Sequence, residues 1–188
     1  MRNLISTAIG LLVVAHAMVH SREIDRESST ITIQVDKSGW LASFGDRHVI
    51  RAPITRGSIS EPEQPAIEFE IESRQLRVVD PDLSNERRQE VQDRMLGSAV
   101  LDSERYPTIT FHSTGIDVAG PNRWRVTGDL TLHGVTHAVA VTVSASSDRY
   151  VGSAIVHQRD FGIEPVADAG GLVKVKNDVR IDFAIVGR

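Results

Sequence analysis

The chain has 188 residues, 40% of them hydrophobic and 24% charged, with a formal net charge of −4 and no cysteine. That length suits one domain with a substantial core, and the apolar share excludes a chain disordered throughout. The mildly acidic balance lacks the Lys/Arg footprint that neutralises phosphates, so nucleic acid is not an expected partner; the missing cysteine excludes disulfides, thiolate metal sites and cysteine nucleophiles.

Residues 1–17, MRNLISTAIGLLVVAHA, set Arg2 before an apolar run from Leu4 to Ala15 and end on Ala15-His16-Ala17. This is the layout of a secretory signal. The apolar run falls short of the roughly 20 residues that span a bilayer, and a retained anchor is the alternative reading. One domain over residues 24–188 is expected beyond it.

In that domain the dominant period is two. Ile31, Ile33 and Val35 alternate with Thr30, Thr32 and Gln34, as in a half-buried strand. His48, in FGDRHVIRAP, lies beside Arg47 and near Arg51 in a polar loop entering a strand, a grouping that could also meet an anionic head group. Ile67, Phe69 and Ile71 then alternate with Glu68, Glu70 and Glu72. SNERRQEVQDRMLG, from Ser84 to Gly97, breaks the pattern. Ser84 is a ready N-cap, Val91 and Met95 stand four apart, and Gly97 follows at the C′ position, so the segment is expected to be a short helix covering the sheet or plugging an opening.

In YPTITFHSTGI, Ile109 and Phe111 share a face that His112 opposes, which puts His112 outside if the apolar face is inside. Trp124, Val126, Leu130 and Leu132 form the next apolar row and Val139, Val141 and Val143 the one after. Gly134 lies between them, so LHGVTH reads as a hairpin connection. His133 and His137 are therefore turn residues; a metal site needs three or four ligands, and His-x-x-x-His is informative on a helix. Arg159 and Asp160, in QRDFGIEP, read as a surface pair. From Val173 to Ile185 the odd positions are apolar except Asn177, giving one strand, or two joined by a bend near that residue. Turn signals fall at Gly57, Pro62, Pro65, Pro81, Gly120-Pro121-Asn122, Gly134 and Asp168 to Gly171. Short one-sided strands of this kind make an antiparallel sheet that curls on itself or folds into a sandwich.

No Gly-x-Ser-x-Gly elbow, His-Glu-x-x-His, Walker-type loop or Gly-x-Gly-x-x-Gly is present. Nothing in the sequence therefore points to catalysis, a metal or a cofactor.

YPTITFHSTGI, WRVTGDLTLHGVTHAVAVTV and RDFGI, in this order, resemble the YceI-like family of polyisoprenoid-binding proteins. The similarity runs from about Ile24 to the C-terminus, and MLGSAVLDSERYPTITF matches the family's short helix and Leu-Asp segment before its Tyr-Pro strand. Where some members carry Gly-His-x-His, this chain reads Gly45-Asp46-Arg47-His48. The resemblance implies an all-β, eight-stranded antiparallel lipocalin-like barrel with one short helix, exported to the periplasm or secreted, holding an isoprenoid or other long-chain lipid without catalysis. Lipid exchange would bring it into contact with membranes; a homodimer is left open.

An eight-stranded barrel is either filled by its own side chains or wide enough for one slim ligand. The inward candidates here are mostly medium-sized. Ile33, Val35, Phe69, Ile71, Phe111, Trp124, Val126, Leu130, Ile181 and Phe183 are the expected wall of a channel, with Arg47, His48 and Arg51 at its mouth. Two rival readings stand beside the lipid carrier. One is a barrel enzyme using His48 or His112 as acid or base, and the other an interaction module with a filled core.

Overall fold

The period-two segments become strands that are antiparallel at every pairing. The computed structural model describes residues 20–38, 47–61, 65–168 and 173–188; the signal-like segment 1–17 lies outside them. In chain order the elements are β1 (His20–Glu23), β2 (Thr30–Ser38), β3 (His48–Arg51), β4 (Arg56–Glu61), β5 (Ala66–Glu72), β6 (Arg77–Val78), α1 (Asn85–Leu96), β7 (Thr108–Gly120), β8 (Arg123–Leu132), β9 (Val135–Ser146), β10 (Arg149–His157), β11 (Ala167–Asp168) and β12 (Val173–Val186). Short 3-10 turns occupy Ser73–Gln75 and Gln158–Phe161.

Eleven of the twelve strand segments make eight lines, because three lines are each broken once. β1 pairs with β4 and β2 with β3, so β1–β2 is one line lying against the line β3–β4. β4 pairs with β5 and β3 with β6, which joins β5–β6 as the third line. From β5 the sheet continues through β7, β8, β9, β10 and β12. β12 then returns to the first line by pairing with β2 and, past its end, through a bridge between Ile24 and Gly187. The pairing returns on itself, so the all-β antiparallel class is as expected while the strand segments outnumber the eight expected, and β11 is a short addition to β12. Closure leaves no long unpaired edge.

The breaks have local causes. Asp25 Oδ1 accepts the N–H groups of Glu27 and Ser28, so the first line turns at that point and resumes at Thr30. Pro53 has no N–H to donate, and the second line pauses over 52–55. The Ser73 hydroxyl donates to the Tyr106 carbonyl at 2.9 Å, fixing the 3-10 turn that interrupts the third. β12 is a single strand whose register shifts between Val175 and Val179, so the bend expected near Asn177 is a bulge within it. Gly57, read as a turn, lies inside β4 opposite Phe69.

Helix α1 forms where expected. Ser84 Oγ accepts the Arg87 N–H at 3.3 Å and Met95 is buried. Gly97 ends the helix at φ −74°, so its left-handed freedom goes unused; its N–H reaches the carbonyls of Asp93 and Arg94. Gln92 fastens the helix to the barrel end, accepting from the Val78 N–H and donating to the Leu76 carbonyl, both at 2.8 Å. No helix among the described residues is long and apolar enough to cross a membrane.

Asp80 anchors the same end. It is 1% exposed, accepts the backbone N–H of Val49, and sits 2.6 Å from His48 Nδ1. Its carbonyl receives Arg88 from α1 at 2.9 Å. Asp80→Ala leaves the Val49 N–H unpaired and is expected to cost about 1–3 kcal/mol in urea unfolding. Asp82→Ala, exposed on the same turn, is expected to change stability by less than about 0.5 kcal/mol.

Candidate functional site

The inward faces of the eight lines do not meet. They enclose a cavity of about 660 Å3, within the ordinary range for small-molecule sites. Every expected wall residue lines it: Ile33, Val35, Phe69, Ile71, Phe111, Trp124, Val126, Leu130, Ile181 and Phe183. The filled-core alternative does not describe this barrel.

Glycines explain how a barrel with phenylalanines inside stays hollow. Gly152 pairs directly with Phe183 across β10 and β12, and a methyl group at Gly152 would fall 2.6 Å from the ring's Cζ. Gly128 lies under the Phe111 ring in the same way, and a methyl group there would collide with it. Phe111 in turn stacks on Phe69 with centroids 5.4 Å apart and planes at 23°. The rings thus lie along the backbone, where the missing Cβ atoms leave room, and do not project toward the axis.

The two ends differ. At the helix end the lining residues Leu76, Met95, Leu101 and Ile163 are all buried. At the other end, between the β4–β5, β7–β8 and β9–β10 connections, the lining residues Pro65, Ala66, Val118, Asn122 and Ser147 are exposed. Val118 lines the cavity and is still 80% exposed, which marks that end as the mouth.

This geometry corrects the expected mouth. Arg47, His48 and Arg51 lie at the helix end and none lines the cavity. Arg47 bonds Asp36 at 2.7 Å and Gln34 at 2.8 Å; this bond holds the Asp36 carboxyl below the usual carboxylate range. His48 is taken by Asp80, and Arg51, neighbour to the buried Ile50, points outward. The polar groups at the true mouth are Ser60, Asn122, Ser147 and Tyr150. Tyr150 was hidden in the sequence because both faces of RYVGSAIVH carry apolar residues: Val151 and Ile155 are exposed at 41% and 51%, so the alternation is blurred.

Of the two histidines expected in the turn, His133 is there, whereas His137 lies within β9 opposite Leu130, because the turn takes only two residues. His133 and Gly134 both take positive φ, 52° and 74°, as a two-residue hairpin turn requires. The Tyr106 ring covers Gly134 and meets His133 edge-on at 4.6 Å, while His133 Nδ1 lies 3.1 Å from the Phe161 carbonyl. His137 is exposed. Among the described residues no cluster of three or more His, Asp or Glu side chains is arranged to hold a metal. His112 is outside, with its side chain 61% exposed beside Glu68. Arg159 pairs with Glu164 at 2.7 Å, not with Asp160.

A family model described as the YceI-like domain matches residues 23–187. Among curated proteins, the chain is 32% identical over 83 residues to a UPF0312 protein of Vibrio cholerae, covering 38% of this chain and 44% of that protein. It is 32% identical over 74 residues to a UPF0312 protein of Pseudomonas syringae pv. tomato, covering 34% and 38%. The aligned stretch thus spans less than half the length of these relatives. Among solved structures, Burkholderia cenocepacia BcnA superposes with a TM-score of 0.61 at 20% identity, over 88% of this chain and 99% of that one. A Campylobacter jejuni YCEI protein gives 0.51 at 11% identity, over 98% and 93%. At these identities the likeness is one of fold.

Gly152→Val is expected to drive the Phe183 ring into the lumen and weaken uptake of a long-chain polyene fluorophore about tenfold or more. Gly115→Ala, where nothing lies within 4 Å of the added methyl, is expected to leave the fluorescence titration unchanged.

Proposed function

The chain belongs to the YceI-like family, and from that premise we propose that it binds, carries or sequesters a polyisoprenoid or similar long-chain amphiphile inside its barrel, without catalysis. The observation that carries this reading is the lumen itself, apolar along its length and open at one end. At about 30 Å3 per heavy atom, the share of a water molecule in the liquid, the cavity takes roughly 20 carbons. That is about four isoprene units, and a longer chain would extend out through the mouth. Each buried CH2 contributes about 0.8 kcal/mol, so such a tail binds by area alone with little need for directed contacts.

The acid–base rival finds no support in the lumen. His112 is on the outer wall and His48 is paired with Asp80 below the helix end, so neither reaches a molecule in the cavity. The signal-like residues 1–17 favour export to the periplasm or beyond, and exchange of an insoluble chain favours transient contact between the mouth and a membrane.

Protein purified without detergent is expected to yield lipid on solvent extraction and to show a one-lipid adduct in native mass spectrometry. Bare polypeptide, together with no uptake of a polyprenyl alcohol or quinone, would contradict the proposal. Phe111→Asp places a carboxylate in the dry wall and is expected to weaken uptake about a hundredfold or more. Equilibrium binding on the folded variant, checked by circular dichroism, measures this, and unchanged uptake would put the ligand elsewhere.

A further inference from the structure

The β7–β8 hairpin stands above the rest of the mouth. On its β5 side, β7 pairs from Thr108 to His112, and the Ser113 hydroxyl then accepts the Ile67 N–H at 2.9 Å. From Thr114 on, β7 pairs among the described residues with β8 alone, up to Gly120 opposite Arg123. Its register against β8 shifts between Ser113 and Gly115, at the point where β7 leaves β5; an extra residue in one strand bends that strand away. The β9 side is supported. Arg123 pairs with Ser144, and the Asn122 carbonyl accepts the Ala145 N–H at 2.9 Å. The rim is therefore lower at the end of the β4–β5 pairing, where Ser60 meets Ala66, than at the tip of β7–β8.

The raised hairpin shows apolar residues to the outside. Ile116, Val118 and Trp124 carry the lining of the cavity up this hairpin. Val118 is nonetheless 80% exposed, and none of the other exposed large apolar side chains among the described residues exceeds 51%. Ala119 and Pro121, at the tip, are exposed as well. These side chains bury nothing for the fold, and they stand together at the opening of an apolar lumen. Charge gathers on the same side. Arg123, Arg125 and Arg149, on this hairpin and the neighbouring β9–β10 hairpin, are exposed and make no side-chain hydrogen bond or ion pair among the described residues. They outnumber the acids of those two hairpins, Asp117 and Asp148. The β4–β5 connection is the acidic side of the mouth: Glu61 ends β4, and Glu63 follows in the sequence.

Resting on the lipid-binding reading above, we propose that the β7–β8 hairpin is the surface by which the barrel docks on a bilayer with anionic head groups, and that the bound chain passes between lumen and bilayer while the hairpin is seated. Val118, Ala119 and Pro121 enter the interfacial layer, and Arg123 and Arg149 lie against the head-group phosphates. The cargo itself requires such a contact. Each CH2 that leaves the lumen for water makes exit about fourfold rarer, so ten of them make it about a millionfold rarer. A mouth seated on a bilayer lets the chain go from one apolar phase directly to another.

The test loads the whole protein with parinaric acid, a fluorescent polyene fatty acid, and follows its transfer to vesicles of phosphatidylcholine, with or without about 30 mol% phosphatidylglycerol, over a range of vesicle concentrations. For wild-type protein the transfer rate is expected to rise in proportion to vesicle concentration. It should be about fivefold or more faster with phosphatidylglycerol, an advantage lost in about 0.5 M salt. The double variant Arg123→Gln/Arg149→Gln is expected to bring that advantage to near one, and Ala119→Asp to slow transfer to both kinds of vesicle about fivefold or more. None of these three residues lines the cavity, so loading is expected to be unchanged and reports that each variant is folded. A rate independent of vesicle concentration means that the chain leaves through water or by way of a protein acceptor, and overturns the docking while the lipid-binding reading stands. A rate that depends on vesicles but is the same in both variants puts the contact on another face and overturns the assignment to this hairpin. If wild-type protein takes up no probe, the docking and the lipid-binding reading fail together.

Discussion

The hollow interior depends on where the aromatic rings go. A barrel of eight lines has an inner diameter that side chains can fill, and Phe69, Phe111 and Phe183 are large enough to do so. They do not, because two of them are laid over glycines on neighbouring strands, Gly128 under Phe111 and Gly152 under Phe183, and the third stacks on Phe111. The rings keep their contacts with the wall, which retains packing energy, and a cavity remains between the inward faces. Stability and emptiness are thereby compatible in one wall.

The two ends divide the remaining work. At one, α1 is held by Gln92 and by Arg88, which donates to the Asp80 carbonyl, while the Asp80 carboxylate fastens β3 through the Val49 N–H, and Met95 and Leu101 close the lumen from below. Hydrogen bonds of this kind define a fixed position better than apolar contact alone. At the other end the connections carry small or polar residues, and Val118 is left in the open. Among the described residues, the lumen is therefore exposed at the end where Val118 lies and lined by buried residues at the other.

Much of this could be read from the sequence, and the exceptions have physical reasons. Alternation named the wall along β2, β5, β7, β8 and β12, because in those strands most outer residues are polar or charged and contrast sharply with the inner ones. It failed along β10, where Val151 and Ile155 are exposed and Tyr150, Gly152 and Ala154 face in. The mouth was misplaced for another reason. Arg47, His48 and Arg51 cluster in sequence, but their side chains are used in bonds to Asp36, Gln34 and Asp80 or point away from the lumen. Likewise no local signal showed that Gly57 pairs with Phe69 within a strand.

The account as a whole rests on a lumen of fixed depth that shelters an apolar chain. Its most direct test is the dependence of affinity on chain length, measured by competition with a homologous series of straight-chain alcohols. Affinity should climb by about 0.8 kcal/mol per added CH2 and level off on the order of 20 carbons, when the lumen is full. A series with no length dependence, or one that climbs on past that point without a break, would mean that the chain lies on the outside of the barrel and that the cavity is not the site.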